Sequence, residues 1–137
     1  MSLVLDTSAT LAWVYLDEAS LPIREVFDRV NESGAWVPSL WRLEILNVLE
    51  MGVRRSRHDA GFRDATLADL ALLPIHLDPN TNEHAWGATV RLAVQHRLTV
   101  YDAAYLELAL RRGLPLATLD QELRAAAESE KVKVLGE

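Results

Sequence analysis

Short apolar runs alternate with longer amphipathic segments along the whole chain, and few architectures accommodate that pattern. The runs "LVL" at 3–5, "AWVP" at 35–38, "PIHL" at 74–77, "PLATL" at 115–119 and "KVKVL" at 131–135 each read as a brief strand. Between them lie "SATLAWVYLDEA" (8–19), "LPIREVFDRVNESG" (21–34), "SLWRLEILNVLEMGVRR" (39–55), "HDAGFRDATLADLALL" (58–73) and "NTNEHAWGATVRLAVQHR" (80–97), each of which reads as a helix. Two further helices open at Asp102 and Asp120. Pro22 suits the first turn of the second helix and Gly34 its end, while Ser39 can cap the third. Strands separated by helices pair in parallel through right-handed crossovers, with helices on both faces. The expectation is a three-layer α/β/α sandwich around a mostly parallel five-stranded sheet, in a single domain over residues 1–137 with no internal repeat, linker or low-complexity segment.

Composition narrows the chemistry. Half of the 137 residues are apolar, enough for one proper core. The chain has no cysteine, which excludes disulfides, thiolate metal sites and a cysteine nucleophile, so any bound metal must use oxygen or imidazole. No apolar run approaches the roughly 20 residues of a membrane span, and no basic segment leads into a signal-peptide core. A soluble, cytoplasmic protein without membrane contact is expected. The formal charge of −6 is the wrong sign for holding nucleic acid mainly by counterion release. A carboxylate site masked by a divalent cation would itself add negative formal charge.

The acidic residues are informative by position. Ligands of open α/β folds gather beyond the carboxyl ends of the strands, where the strand order reverses. Asp6 directly follows "LVL", and Asp120 follows "PLATL". If these strands are neighbours their tips lie about 4.8 Å apart, close enough for both carboxylates to reach one cation. Such a pair repels unless something positive stands between them. Glu44 lies on the apolar face of the third helix with Asn47 three residues on, where an unpaired carboxylate is costly. Asp6, Asp102 and Asp120 are also good N-caps, and capping is compatible with ligation. Arg54, Arg55 and Arg57 in "GVRRSRH" can position phosphates without reading sequence, or form a solvated helix end. Arg111 and Arg112 before Gly113 read as a plain helix ending. His58, His76, His84 and His96 show no ligand spacing, and Trp13, Tyr15, Trp36 and Trp41 read as core and interface.

"LDTSA", "LEILNVL", "TVYDAAYLELALRRGLPLATLD" and the closing "VKVL" resemble, in order and spacing, the PIN-domain ribonucleases, and in particular the VapC-type toxins of bacterial toxin–antitoxin modules. The resemblance implies a three-layer α/β/α fold that cleaves RNA with Mg²⁺ or Mn²⁺. It places Asp6, Glu44, Asp102 and Asp120 at the four acidic positions, as catalytic residues and metal ligands, with Ser8 and Thr118 as the accompanying hydroxyls. Ser8, Thr118 and Asn47 are expected to orient ligands or water. A VapB-like antitoxin and a homodimer are the implied partners, with the aromatic residues available to an antitoxin groove. Two other classes compare less well. A receiver-like domain lacks its lysine after a late strand, and a haloacid-dehalogenase phosphatase would want D-x-D where this chain has "DTS". The alternatives that stay open are a PIN-fold binding scaffold, whose usual mark is the loss of one or more acidic residues, and a PIN nuclease outside a toxin–antitoxin module.

Overall fold

A computed structural model describes residues 1–15 and 17–137. The strands β1 (Leu3–Leu5), β2 (Ala35–Val37), β3 (Ile75–Leu77), β4 (Leu116–Ala117) and β5 (Val134–Leu135) form one sheet in the order β3-β2-β1-β4-β5. Every neighbouring pair is parallel. The helices are α1 (Thr7–Val14), α2 (Leu21–Ser33), α3 (Trp41–Arg54), α4 (Ala60–Ala71), α5 (Thr81–His84), α6 (Val90–His96), α7 (Val100–Arg112) and α8 (Gln121–Ser129). Right-handed crossovers place α1–α4 on one face and α5–α8 on the other. Packing of α1 on α2 and α3, and of α7 on α6 and α8, agrees with that division.

The central strand is wholly apolar and buried: Leu3, Val4 and Leu5 have no exposed surface. Such continuous burial is what a parallel strand covered on both faces requires. On α7, every residue from Ala103 to Ala109 is buried. Its Leu106 and Leu108 each contribute about 1.5–3 kcal/mol by leaving water, which holds the helix to the sheet. Gly113 ends it in the left-handed conformation (φ 65°), where a side chain would be strained. The strand order reverses between β1 and β4, whose register pairs Leu5 with Ala117. Asp6 and Thr118 therefore leave the sheet side by side at its switch point.

Local expectations are corrected in several places. The helix expected over 8–19 ends at Val14, and residue 16 of that span lies outside the described residues. Ser39 does not cap α3: Leu40 occupies the cap position and no side chain accepts a bond there, while the Ser39 backbone N–H is directed to Thr81 Oγ1. The buried stripe of α3 is Trp41, Ile45, Leu49 and Gly52, while Leu43 is 71% exposed. The helix expected over 80–97 is broken by a π-helical turn at Ala85–Thr89 that contains Gly87, a residue that weakens regular helix. Asp102 does not open α7. Thr99 does, its Oγ1 accepting the Asp102 N–H at 3.1 Å, so the Asp102 carboxylate is released from capping. Nor are Arg111 and Arg112 a plain helix ending. Arg111 grips Asp78 through both terminal nitrogens (3.1 and 2.6 Å) and also bonds Glu107, while Arg112 bonds Asp78 and lies over the Trp36 ring.

Candidate active site

Asp6 is only 3% exposed and accepts three hydrogen bonds. Its Oδ1 receives Ser8 Oγ at 2.6 Å and the Ala9 N–H at 3.0 Å, the latter being the N-cap bond of α1. Its Oδ2 receives Thr118 Oγ1 at 2.6 Å. Ser8 and Thr118 are tied in turn to the following chain, since Ser8 Oγ accepts the Leu119 N–H and Thr118 Oγ1 accepts the Asp120 N–H. The two hydroxyls thus clamp one carboxylate and orient the turn carrying another. Asp120 caps α8 through Oδ1, which accepts the Leu123 N–H at 2.9 Å.

Glu44 reaches the same end of the sheet from α3. Tyr105 OH donates to its Oε1 at 2.6 Å and Thr7 Oγ1 at 3.0 Å. Burial and the adjacent Glu44 charge raise the Tyr105 pKa, so the phenol stays a neutral donor. Neither Thr7 nor Tyr105 was singled out in the sequence. Both were accessible there: Thr7 lies between Asp6 and Ser8 in "DTS", and Tyr105 follows Asp102 by three residues on one helical face.

The electrostatics separate this pocket from the rest of the molecule. Burial, then the negative charges of Asp120, Asp6 and Glu44, push the Asp102 carboxyl up to about 6. Burial also raises Asp6, against the hydrogen bonds of Ser8, Thr118 and Ala9 and with help from Asp120. None of the four carboxylates forms an ion pair with Lys, Arg or His among the described residues. Asp78, which follows β3, shows the opposite case. Burial opposes its charge, but the hydrogen bonds and charge of Arg111 prevail and hold its carboxyl at about 2. Acidic residues at strand ends are therefore not equivalent: Asp78 is neutralised by arginine, whereas Asp6 and Asp120 are left with Glu44 and Asp102 without a counter-charge.

The four are gathered within the range of charge–charge interaction. Among the described residues, no three His, Asp or Glu side chains stand close enough to enclose an ion by themselves. The donors present fit a hydrated hard cation: all are oxygens, and Glu44 Oε2 and Asp120 Oδ2 accept no hydrogen bond among the described residues. Mg²⁺ keeps several waters and takes only one or two carboxylates directly.

The other expected residues lie apart. Asn47 is exposed and bonds none of the four carboxylates; it faces a cavity with Arg55 and Arg57. Arg54 pairs with Glu50, and Arg57 with Glu18. Among the described residues Arg55 has no ion pair.

The fold and the pocket define a class of protein: a doubly covered parallel α/β domain with an uncompensated acidic pocket at its switch point. Residues 3–129 match the model of the PIN domain, and the chain belongs to that family. PIN domains are typically nucleases and generally use divalent metal ions. Among solved structures the chain is similar to PAE2754 from Pyrobaculum aerophilum, with 26% identity and a TM-score of 0.71, over 98% of this chain and 83% of that one. No curated protein matches it significantly.

Thr118→Val is expected to lower activity by roughly 10–100-fold with the fold retained, because it removes one clamp on Asp6 and the acceptor for the Asp120 N–H. Cleavage rates compared at equal circular dichroism check this. A variant as fast as wild type would remove Thr118 from the site.

Proposed function

We propose that the protein is a Mg²⁺- or Mn²⁺-dependent endoribonuclease, and that it serves as the toxin of a VapBC-type module. The observation that carries this reading is the set of four carboxylates without a cation, one of them raised to about 6 by burial and its three neighbours. Asp6 and Asp102 would hold the ion, with Asp120 and Glu44 reaching it through water. Bound there, a divalent cation supplies positive charge to the scissile phosphate and eases loss of a proton from the attacking water.

The chain's own residues supply position. Ser8 and Thr118 fix both oxygens of Asp6, Tyr105 and Thr7 fix one oxygen of Glu44, and the helix cap fixes one oxygen of Asp120. The remaining oxygens are left to orient water for in-line attack, and such preorganisation is worth most where the supporting groups are themselves locked. The substrate is RNA. A VapB-like antitoxin, a homodimer and a cytoplasmic setting belong to the same reading.

The test is cleavage of total cellular RNA in EDTA, Mg²⁺ or Mn²⁺, together with calorimetric Mn²⁺ titration of wild type and Asp6→Asn. Divalent-dependent fragments and a binding isotherm absent from the variant are expected. Neither cleavage nor a site sensitive to Asp6→Asn would leave a binding scaffold instead.

A further inference from the structure

A second site lies beside the acidic pocket, on the same helix. Glu44, Asn47, Met51 and Arg55 recur at one-turn intervals along α3, so the face that begins at the acidic pocket continues for about 16 Å to Arg55. Next to that stripe a cavity of about 470 Å³ is lined by Tyr15, Asn47, Val48, Met51, Gly52, Arg55 and Arg57. Its charged lining is wholly basic in a chain of net charge −6. Its size lies in the usual range for small-ligand pockets, and its lining combines apolar walls with a few polar groups, as such pockets do.

The walls are built, not incidental. Tyr15 is buried, and its hydroxyl lies 2.9 Å from His58 Nε2. The His58 ring occupies the space above Gly52, where a Cβ would come within 2.3 Å of Nε2, so only glycine admits this arrangement. Ser56, in the left-handed conformation (φ 60°), turns the chain back after α3. That turn brings the Arg57 guanidinium over the Tyr15 ring, 3.6 Å from its centroid, where Glu18 and Asp17 also hold it. A guanidinium fixed in this way is a surface on which an unpaired base can stack. Arg55, with no ion pair among the described residues, is left for a phosphate, and the Asn47 amide can both donate to and accept from a base edge.

We infer that this cavity between α1 and α3 binds an unpaired nucleotide of the RNA, one that flanks the scissile phosphate at the acidic site to which Glu44 belongs. The inference rests on the nuclease reading for the identity of the strand, and Arg55, the arginine of this lining without an ion pair among the described residues, suits its phosphate. The pocket positions substrate, with Arg55 on the backbone, Arg57 under the base and Asn47 on its edge.

The test uses a fluorescent single-stranded RNA of about eight nucleotides, within the usual footprint of single-strand binders. Its binding to the full chain is followed by anisotropy in EDTA across a salt series, and its cleavage in Mn²⁺. Arg55→Ala and Asn47→Ala are each expected to weaken binding by about 3–10-fold, with the effect in KM exceeding that in kcat. Arg55→Ala should also reduce the slope of log K against log salt by about 0.7, the value of one phosphate contact on a single strand. Gly52→Ala should weaken binding as well, by displacing His58 and Tyr15. If both alanine variants bind and cleave as wild type does, with an unchanged salt slope, the inference is overturned and the cavity is left to another partner. If no RNA is cleaved in any metal yet binding still depends on Arg55 and Asn47, the nuclease reading fails and the nucleotide pocket stands.

Discussion

Asp102→Asn is expected to lower divalent-dependent cleavage by at least about 100-fold, beyond what loss of a supporting residue costs, and to make the metal-free protein more stable. Both effects come from one charge. The Asp102 carboxyl stands at about 6 in the folded chain against an ordinary 3.8, raised by burial and by Asp120, Asp6 and Glu44. A carboxyl raised on folding binds more protons folded than unfolded between those two values. Its charge therefore costs stability in full above about pH 6, and the cost fades as the pH falls through 6 toward 4. Each pKa unit corresponds to about 1.4 kcal/mol, and after discounting for partial exposure the cost is on the order of 1–2 kcal/mol. Asparagine removes it. Urea denaturation in EDTA should show the variant more stable than wild type near pH 8, and the two converging near pH 4. Adding Mg²⁺ should stabilise wild type and not the variant, since only an intact site gains binding free energy. A variant that cleaves normally and gains no stability would remove Asp102 from the pocket.

Arg111→Met should destabilise the chain by about 3–5 kcal/mol, the range found when one partner of a buried ion pair is removed. The Asp78 side chain is fully buried, Glu107 is nearly so, and Arg111 bonds both. Without Arg111 two carboxylates remain in the interior with only Arg112 beside Asp78. The pH dependence runs opposite to that of Asp102. Because Arg111 outweighs burial and holds the Asp78 carboxyl at about 2, below its ordinary 3.8, the contribution is present above about pH 4 and lost as the pH falls toward 2. Chemical denaturation at neutral pH measures the loss, and replacing Asp78 by Leu in the same chain should recover part of it, as removal of both partners does. A loss below about 1 kcal/mol would mean that the network is open to water. The network also concerns the pocket, because α7 carries Asp102 and Tyr105 near one end and Arg111 near the other.

Pattern and position made much of this legible in advance. A strand of three apolar residues followed by Asp6, and another apolar run followed by Asp120, point to the carboxyl edge of a sheet without any knowledge of its order. The motif resemblance then selects Glu44 and Asp102, and the family match covers the same span. Asn47 makes no direct bond to the four carboxylates; helical spacing shows which residues share a face, but not how far a polar group of another element stands from it. Arg111 and Arg112 were misjudged because Asp78, their partner, lies 33 and 34 residues away.

By itself the sequence determined the alternation of strand and helix, hence a parallel sheet covered on both faces, and the acidic residues at the strand ends. These follow from local periodicity and from the chemistry of single side chains. Only the tertiary structure decided which carboxylates share a pocket and which is neutralised by arginine. Charge interaction depends on distances across the strand order and between helices, and no local pattern encodes them. The adjacency of β1 and β4 clamps Asp6 with Thr118, and the packing of α7 gives Asp78 its cation and leaves Asp102 without one.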